Sequence, residues 1–477
     1  MACNDTSQRL NAPYLVGTLL AVNAVPDSAL LIDGAECSMT KAEFVYGNHD
    51  LGSTLLDTSG KCEHRLEHSY KDLSDLVKDR EPDIARVTKE MLARPACKVL
   101  FLASRPCCSI LAVDYKRVVR GAAKDGSKPV LPMPADGLTG DWLNGYADAL
   151  EALAHAVDLK GAKPRSNKVA IVGYMMDRTE QDHVANIAEL RRLLAALGLE
   201  LVSVWPGNVP YAELSAVKDA ATILSFPYGR KAAKVLADRL EAKLVELDLP
   251  FGLLHTEEWI RRVAKACGRP AKDAEALIAA ETAPILKQLE WVVPQALLHK
   301  RVALCADPYL LEGLAQLADD LGLEVATAAL MCQPEKMPKG LADRFPSLPR
   351  PLCQPNSVEW TAELAAAGRL DFIVGNSFFL QANSSAAAIE LGFPSYGYHA
   401  LTSQPYLGFA GCLQVRPGAC VLGRLPVALV IHVTVAAGGL LGADVEVAEE
   451  AAGGIRGRVE GWPIPIDDVG TGAKRAD

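Results

Sequence analysis

Short apolar runs punctuate the chain at 98–104 (KVLFLAS), 168–174 (KVAIVGY), 201–205 (LVSVW), 221–227 (ATILSFP), 301–308 (RVALCADP), 323–330 (LEVATAAL) and 371–377 (DFIVGNS). They are continuously apolar rather than alternating, rich in β-branched residues, and followed by turn residues. That pattern belongs to strands covered on both faces, as in parallel sheets. Stretches with helical periodicity lie between them. TEQDHVANIAELRRLLAALG has an acidic first turn after Thr179, apolar positions at helical spacing, and Gly198 placed to close the helix. DPYLLEGLAQLADDLGLEVATAAL repeats the strand, helix, Gly, strand layout after Asp307-Pro308. The expected fold class is α/β, with three Rossmann-like domains whose parallel sheets are flanked by helices.

A polar connector, DLKGAKPRSNK, and the lead-in WVVPQALLHKR place soft boundaries near residues 160 and 295. The domains expected are 1–160, 161–295 and 296–445, followed by a Gly-, Pro- and charge-rich arm, 446–477, that packs on a partner or stays disordered. A chain of 477 residues exceeds what one hydrophobic core usually supports, in keeping with that division. Leu425 to Ala443 is free of acidic and basic side chains for 19 residues, but Pro426, His432, Thr434 and its glycines favour a buried helix or strand pair over a membrane span. The net charge of -9 is spread along the chain and argues against nucleic acid or an anionic membrane as partner, leaving small molecules and proteins. The N-terminus shows no signal-peptide pattern, so the cytoplasm is the expected compartment.

The twelve cysteines, without a C-x-x-C pair, are expected to be reduced thiols serving metal binding or core burial. Cys37, Cys62 and Cys107 share a setting, each in or beside a loop of small or turn residues: DGAEC, DTSGKC and SRPCC. In open parallel sheets ligands sit beyond the carboxyl ends of the strands, and Cys107 follows such an end. Three thiolates brought to one point would hold a soft metal or an iron-sulfur cluster, whereas separate thiols are ordinary core residues. His49, His64 and His68 lie near acids and read as solvated polar loops; Trp142, Trp259 and Trp291 read as core aromatics.

Residues 13 to 410 resemble a β-type subunit of the nitrogenase component 1 family. SRPC, ending at Cys107, resembles a strand-end S-T-T-C turn, and Cys37 and Cys62 stand 25 residues apart as in that family. Pro250 to Glu258 resembles its P-x-G-L-x-x-T-(D/E)-E segment, and RVALCADPYLLEGLAQLADDLGLE its third-domain opening unit. VGNSFFLQANSSAAAIELGFPSYGYHALTSQPYLGFAG resembles the last sheet segment. Glu36 departs from the pattern, standing where the family has glycine, and Cys62 follows its turn rather than preceding it.

The resemblance implies a nitrogenase component 1-like fold and an iron-sulfur cluster, of P-cluster-like 8Fe-7S or 4Fe-4S type, bound by Cys37, Cys62 and Cys107 with Cys108 as substitute for the last. Backbone amides after Cys107, opening a helix SILAVDYKRVVRGA, would donate to that cluster. The implied partners are an α-type subunit, in a heterotetramer of two α-type and two β-type chains, and an ATP-dependent iron-sulfur reductase, since this sequence carries no P-loop. LSFPYGR offers no cysteine for a catalytic cofactor, so His399 reads as a core or pocket-lining residue. The expected activity is reduction of a small molecule bound in the partner, with carbon-sulfur reduction as in methylthio-alkane reductases ahead of tetrapyrrole reduction; a cofactor-assembly scaffold is the alternative class. No catalytic residue is assigned to this chain.

Overall fold

The computed structural model describes residues 12–35, 64–69, 79–110, 113–122, 128–134, 136–175, 182–333, 357–381, 387–393 and 403–412. The chain divides into two units, Met1–Arg424 and Leu425–Asp477, and all described residues belong to the first. The apolar run 425–443 and the arm therefore lie outside the described residues. Among those described, no helix is long and apolar enough to cross a membrane.

Among the described residues, twelve strands form three four-stranded sheets, each parallel throughout. The first holds β1 (Ser28–Asp33), β2 (Leu66–His68), β3 (Val99–Ser104) and β4 (Val130–Pro132) in the order β2-β1-β3-β4. The second holds β5 (Arg165–Val172), β6 (Glu200–Trp205), β7 (Ala220–Ser225) and β8 (Lys243–Glu246) as β6-β5-β7-β8. The third holds β9 (Arg301–Ala306), β10 (Glu324–Leu330), β11 (Phe372–Gly375) and β12 (Ala387–Glu390) as β10-β9-β11-β12. The same topology thus occurs three times. In each sheet the winding reverses between the two central strands, where a crevice opens beyond their carboxyl ends. The continuous apolar runs explain the arrangement: every residue of β1 and β3 is buried.

Helices cover the sheets. The first sheet carries α1 (Tyr14–Asn23), α2 (Glu81–Ala93), the single turn α3 (Pro106–Ser109), α4 (Tyr115–Ala122) and α5 (Trp142–Ala156). Then follow α6 (His183–Ala196), α7 (Arg230–Leu240), α8 (Gly252–Ala266), α9 (Ala271–Val292) and α10 (Pro308–Asp320). α6 ends as its sequence implies, with Gly198 at φ +69°. The Thr179 expected before it lies outside the described residues. Trp142 and Trp259 are buried as expected, but Trp291 is 59% exposed. It sits at the end of α9, which buries only Ala274, Ile278 and Ile285 and presents the rest of its surface outward.

α1 is buried at every position and lies directly on α5, backbone against backbone. A Cβ at Gly17 would sit 1.7 Å from the Trp142 carbonyl oxygen, and one at Gly145 1.9 Å from that of Tyr14. Side-chain bonds join the sheets' helices. Asp141 caps α5 by accepting from the Leu143 and Asn144 amides at 3.0 and 3.3 Å, and its second oxygen accepts from the Gln333 amide at 3.0 Å. Trp142 Nε1 donates to the Met331 carbonyl at 2.7 Å. Between the second and third sheets, Tyr228 Oη donates to Asp307 Oδ2 at 2.9 Å, while Asp307 Oδ1 caps α10 through the Tyr309 and Leu310 amides at 2.9 and 3.1 Å.

Two predictions follow from these contacts. Gly17→Ala or Gly145→Ala forces the helices apart and destabilises the protein by about 1–3 kcal/mol or more, read as a lowered thermal midpoint. Gly121→Ala on α4, where a Cβ meets nothing within 4 Å, leaves the midpoint unchanged or raises it. Burial pushes the Asp307 carboxyl up to about 6, against the stabilising Leu310, Tyr228 and Tyr309 donors. The folded state therefore holds this proton more tightly than the unfolded chain, so the group's contribution to stability is full below roughly pH 4 and is lost as pH rises through about 6. Going from pH 7 to pH 5, the wild type gains stability relative to Asp307→Asn; parallel stability curves for the two proteins contradict this assignment.

Candidate functional site

β1 and β3 flank the reversal point of the first sheet and finish level with each other, Asp33 opposite Ser104. The Arg105 amide donates to the Asp33 carbonyl at 3.1 Å, continuing the pairing one step past the strands. β3 then turns immediately into α3. Cys107 on this turn is exposed, and Cys108 beside it is buried. Their sulfurs lie 3.8 Å apart. Cys108 packs against Ala35, the last described residue after β1 and two positions before Cys37 in sequence. The exits of both central strands are therefore in contact.

Cys37 and Cys62 themselves lie outside the described residues, as do His49 and His399. The described chain resumes at His64, next to β2. There Leu66 pairs with Leu30, and Arg65 Nε donates to the Ser28 carbonyl at 2.9 Å, so the chain re-enters at the amino edge of the sheet. Cys107 stands at the carboxyl edge. His64 offers its carbonyl to Arg94, and His68 is half-buried on β2; among the described residues no group of three or more His, Cys, Asp or Glu is placed to hold a metal ion.

The turn carrying Cys107 also corrects an expectation. The Cys108 and Ser109 amides both donate to the Arg105 carbonyl, at 2.9 and 3.0 Å, and the Ser104 and Ser109 hydroxyls share a hydrogen bond of 2.7 Å. These two amides are committed to the turn rather than presented to a ligand, and the longer helix begins only at Tyr115. Asp114 accounts for the later start, its carboxylate accepting from the Arg117 amide at 3.0 Å.

Asp33, which reads in the sequence as a turn residue before Gly34, is instead a buried hub. Its Oδ1 accepts from Ser69 Oγ at 2.6 Å and Arg80 Nε at 3.1 Å; its Oδ2 accepts from an Arg80 terminal nitrogen at 3.0 Å and Tyr115 Oη at 2.6 Å. The Gly34 amide donates to Ser69 Oγ at 3.2 Å, tying the departing chain to the same group. Burial works against the Arg80 charge, but the hydrogen bonds and charge of Asp33 more than offset it and hold the guanidinium protonated. Burial and then the Asp33 charge push the Tyr115 phenol far above its ordinary value. Nothing in the local sequence announces this network, since its partners come from positions 36 to 82 residues away.

A second cleft opens where the carboxyl ends of β5, β7 and β9 face one another. It is partly open to solvent, holds a cavity of about 50 Å3, and is lined by Trp142, Tyr174, His183, Tyr228, Asp307 and Phe393 among others. Tyr174 Oη meets His183 Nδ1 at 3.1 Å, and Asn186 Nδ2 donates to the same hydroxyl at 3.2 Å. Burial, then the Asp307 charge, push Tyr309 nearby up to about 12. From LSFPYGR, Phe226 is buried in the core and Tyr228 lines the cleft. The lining mixes aromatic and aliphatic side chains with the polar groups of Asp182, His183, Asn186 and Asp307, and the Pro250–Glu258 motif serves a structural end beside it. Thr256 Oγ1 donates to the Gly252 carbonyl at 2.6 Å in the first turn of α8, and the Pro250 carbonyl accepts from the Gly408 amide at 2.7 Å. Two of the motifs that carried the resemblance thus bond to each other.

Comparison with known proteins agrees with this architecture. A family model described as nitrogenase component 1 type oxidoreductase matches residues 14–416. The chain is 23% identical over 309 residues to the nitrogenase vanadium-iron protein beta chain of Trichormus variabilis, covering 59% of this chain and 65% of that one. It is 28% identical over 265 residues to the light-independent protochlorophyllide reductase subunit N of Halorhodospira halophila, covering 54% and 59%. The chain thus spans less than two thirds of the length of these relatives. A solved structure of nitrogenase Cp1 at pH 6.5 superposes with a TM-score of 0.68 at 15% identity, covering 84% of this chain and 90% of that one. The three like-wound sheets and the match over residues 14–416 establish that this chain is a member of the nitrogenase component 1 type oxidoreductase family.

Proposed function

We propose that this chain is the β-type subunit of a two-component, nitrogenase-like reductase and holds an iron-sulfur cluster at its interface with an α-type partner. The observation that carries this reading is the placement of Cys107, an exposed thiol at the carboxyl edge of the first sheet, on the turn against which the chain leading to Cys37 packs. Thiolate is the ligand type such clusters prefer, and the donor chemistry fits. In the proposal Cys37, Cys62 and Cys107 supply the thiolates, with Cys108 as the substitute for Cys107. Support is strongest for Cys37 and Cys107, which follow the two central strands; Cys62 rests on the resemblance alone. The cluster is of 8Fe-7S or 4Fe-4S type.

When bound, the cluster accepts and releases single electrons. The chain's own part is to hold it between the subunits, away from bulk water, and to surround it with a fixed charge pattern. Electrons would come from a separate ATP-dependent iron-sulfur reductase, and the substrate would bind in the α-type partner, within a heterotetramer of two copies of each subunit in the cytoplasm. The proposed domains are 1–160, 161–295 and 296–445, a division supported by one sheet in each, with 446–477 as an arm. For the substrate, we propose reduction of a carbon-sulfur bond, as in methylthio-alkane reductases. The likeness to protochlorophyllide reductase subunit N favours a second reading, tetrapyrrole reduction. A cofactor-assembly scaffold would carry the cluster without turnover.

In the complex purified from cells, Cys107→Ser removes most of the bound iron and the cluster's visible absorbance, and Cys37→Ser does the same. If Cys108 takes over from Cys107, the iron survives Cys107→Ser and is lost in Cys107→Ser/Cys108→Ser. Iron content unchanged in all these variants contradicts the proposal.

A further inference from the structure

Asp33 and Arg80 form the most enclosed ion pair among the described residues, with side chains 0% and 5% exposed and a contact of 3.0 Å. A pair buried to this degree contributes little net stability, because desolvating both charges offsets their attraction. Its position gives it another use. Asp33 ends β1 directly opposite Ser104, three residues before Cys107, and its carbonyl accepts from the Arg105 amide. Cys108 lies within electrostatic reach of both Arg80 and Tyr115. The pair therefore stands immediately behind the turn that presents Cys107, in a medium where charges are weakly screened.

We infer that the Asp33–Arg80 pair, steadied by Ser69 and Tyr115, sets the reduction potential of a cluster held at Cys107, an inference that rests on the reading above. The two side chains act as positioning residues with opposite electrostatic signs. Reduction adds negative charge to the cluster. The Arg80 guanidinium favours the reduced state, the Asp33 carboxylate opposes it, and the four hydrogen bonds to Asp33 spread and damp the carboxylate's field. The potential is thus set by a near-balanced pair, and removing either member moves it in a defined direction.

The pair also explains why a carboxylate sits so near a site for an anionic group. Asp33 is turned away from solvent into its donors, with both oxygens occupied. Its local effect is that of one half of a dipole rather than a bare charge. Asp33 also directs the chain, because Ser69 binds its carboxylate and the Gly34 amide together.

The test is redox titration, followed by electron resonance, of the complex purified from cells, with iron measured on the same samples. Asp33→Asn removes the negative member and moves the midpoint to a more positive value. Arg80→Gln removes the positive member and moves it to a more negative value. The double variant Asp33→Asn/Arg80→Gln returns it toward the wild type. A purely structural role shifts neither midpoint in a sign-dependent way and shows only as lost iron. Where the charge variants do not fold, Tyr115→Phe removes one donor without changing charge; it exposes the carboxylate's field and moves the midpoint to a more negative value.

Midpoints that stay put, or that move in the same direction for both charge variants, overturn the inference while leaving the cluster reading intact. An iron-free wild-type complex overturns the cluster reading and this inference with it.

Discussion

The parallel pairing of β1 with β3 is the constraint on which the rest of the site depends. Six consecutive residue pairs, ending in Asp33 opposite Ser104, bring two strand exits together at the point where the sheet reverses its winding. A parallel ladder alone does not keep the exits in place. The Arg105 amide extends the pairing, Ala35 packs on Cys108, and the Asp33 carboxylate binds donors from the chain after β2 and from the starts of α2 and α4. Cys107 is held on a hydrogen-bonded turn as a result. An exposed thiol on a mobile loop would be a poor ligand by comparison.

The same topology in the second and third sheets leads to a different outcome. There the crevices beyond the strands face one another, and the cleft between them is lined by aromatic and aliphatic side chains and bridged by the Tyr228–Asp307 bond. Buried Asp307, carrying a proton more readily than an ordinary carboxylate, serves as a helix cap and a strut. One winding pattern used three times thus yields a thiol-bearing edge in one sheet and an interlocked junction between the other two.

Much of this was legible in the sequence. Continuous apolar runs such as KVLFLAS and RVALCADP announced doubly covered parallel strands, and Gly198 closed its helix with positive φ as expected. Cys107 stood out because it follows a strand by three residues. Other features were not legible, for physical reasons. The role of Asp33 depends on partners 36, 47 and 82 residues away, and no local pattern distinguishes a buried hub from a turn aspartate. His183 joins the second cleft beside Tyr174, which tertiary packing brings to it. Aromatic rings are usually buried, yet the end of α9 presents Trp291 to solvent. The single helix expected over SILAVDYKRVVRGA is instead a turn at Cys107 and a separate helix that begins after Asp114.

The central claim, that this chain shares an iron-sulfur cluster with its partner, is tested most directly by purifying the complex without oxygen and measuring its iron, visible absorbance and electron-resonance spectrum before and after chemical reduction. The account predicts a brown complex whose iron is stoichiometric with the chain and whose spectrum changes on reduction. A colourless, iron-free complex with no resonance signal in either state would contradict it.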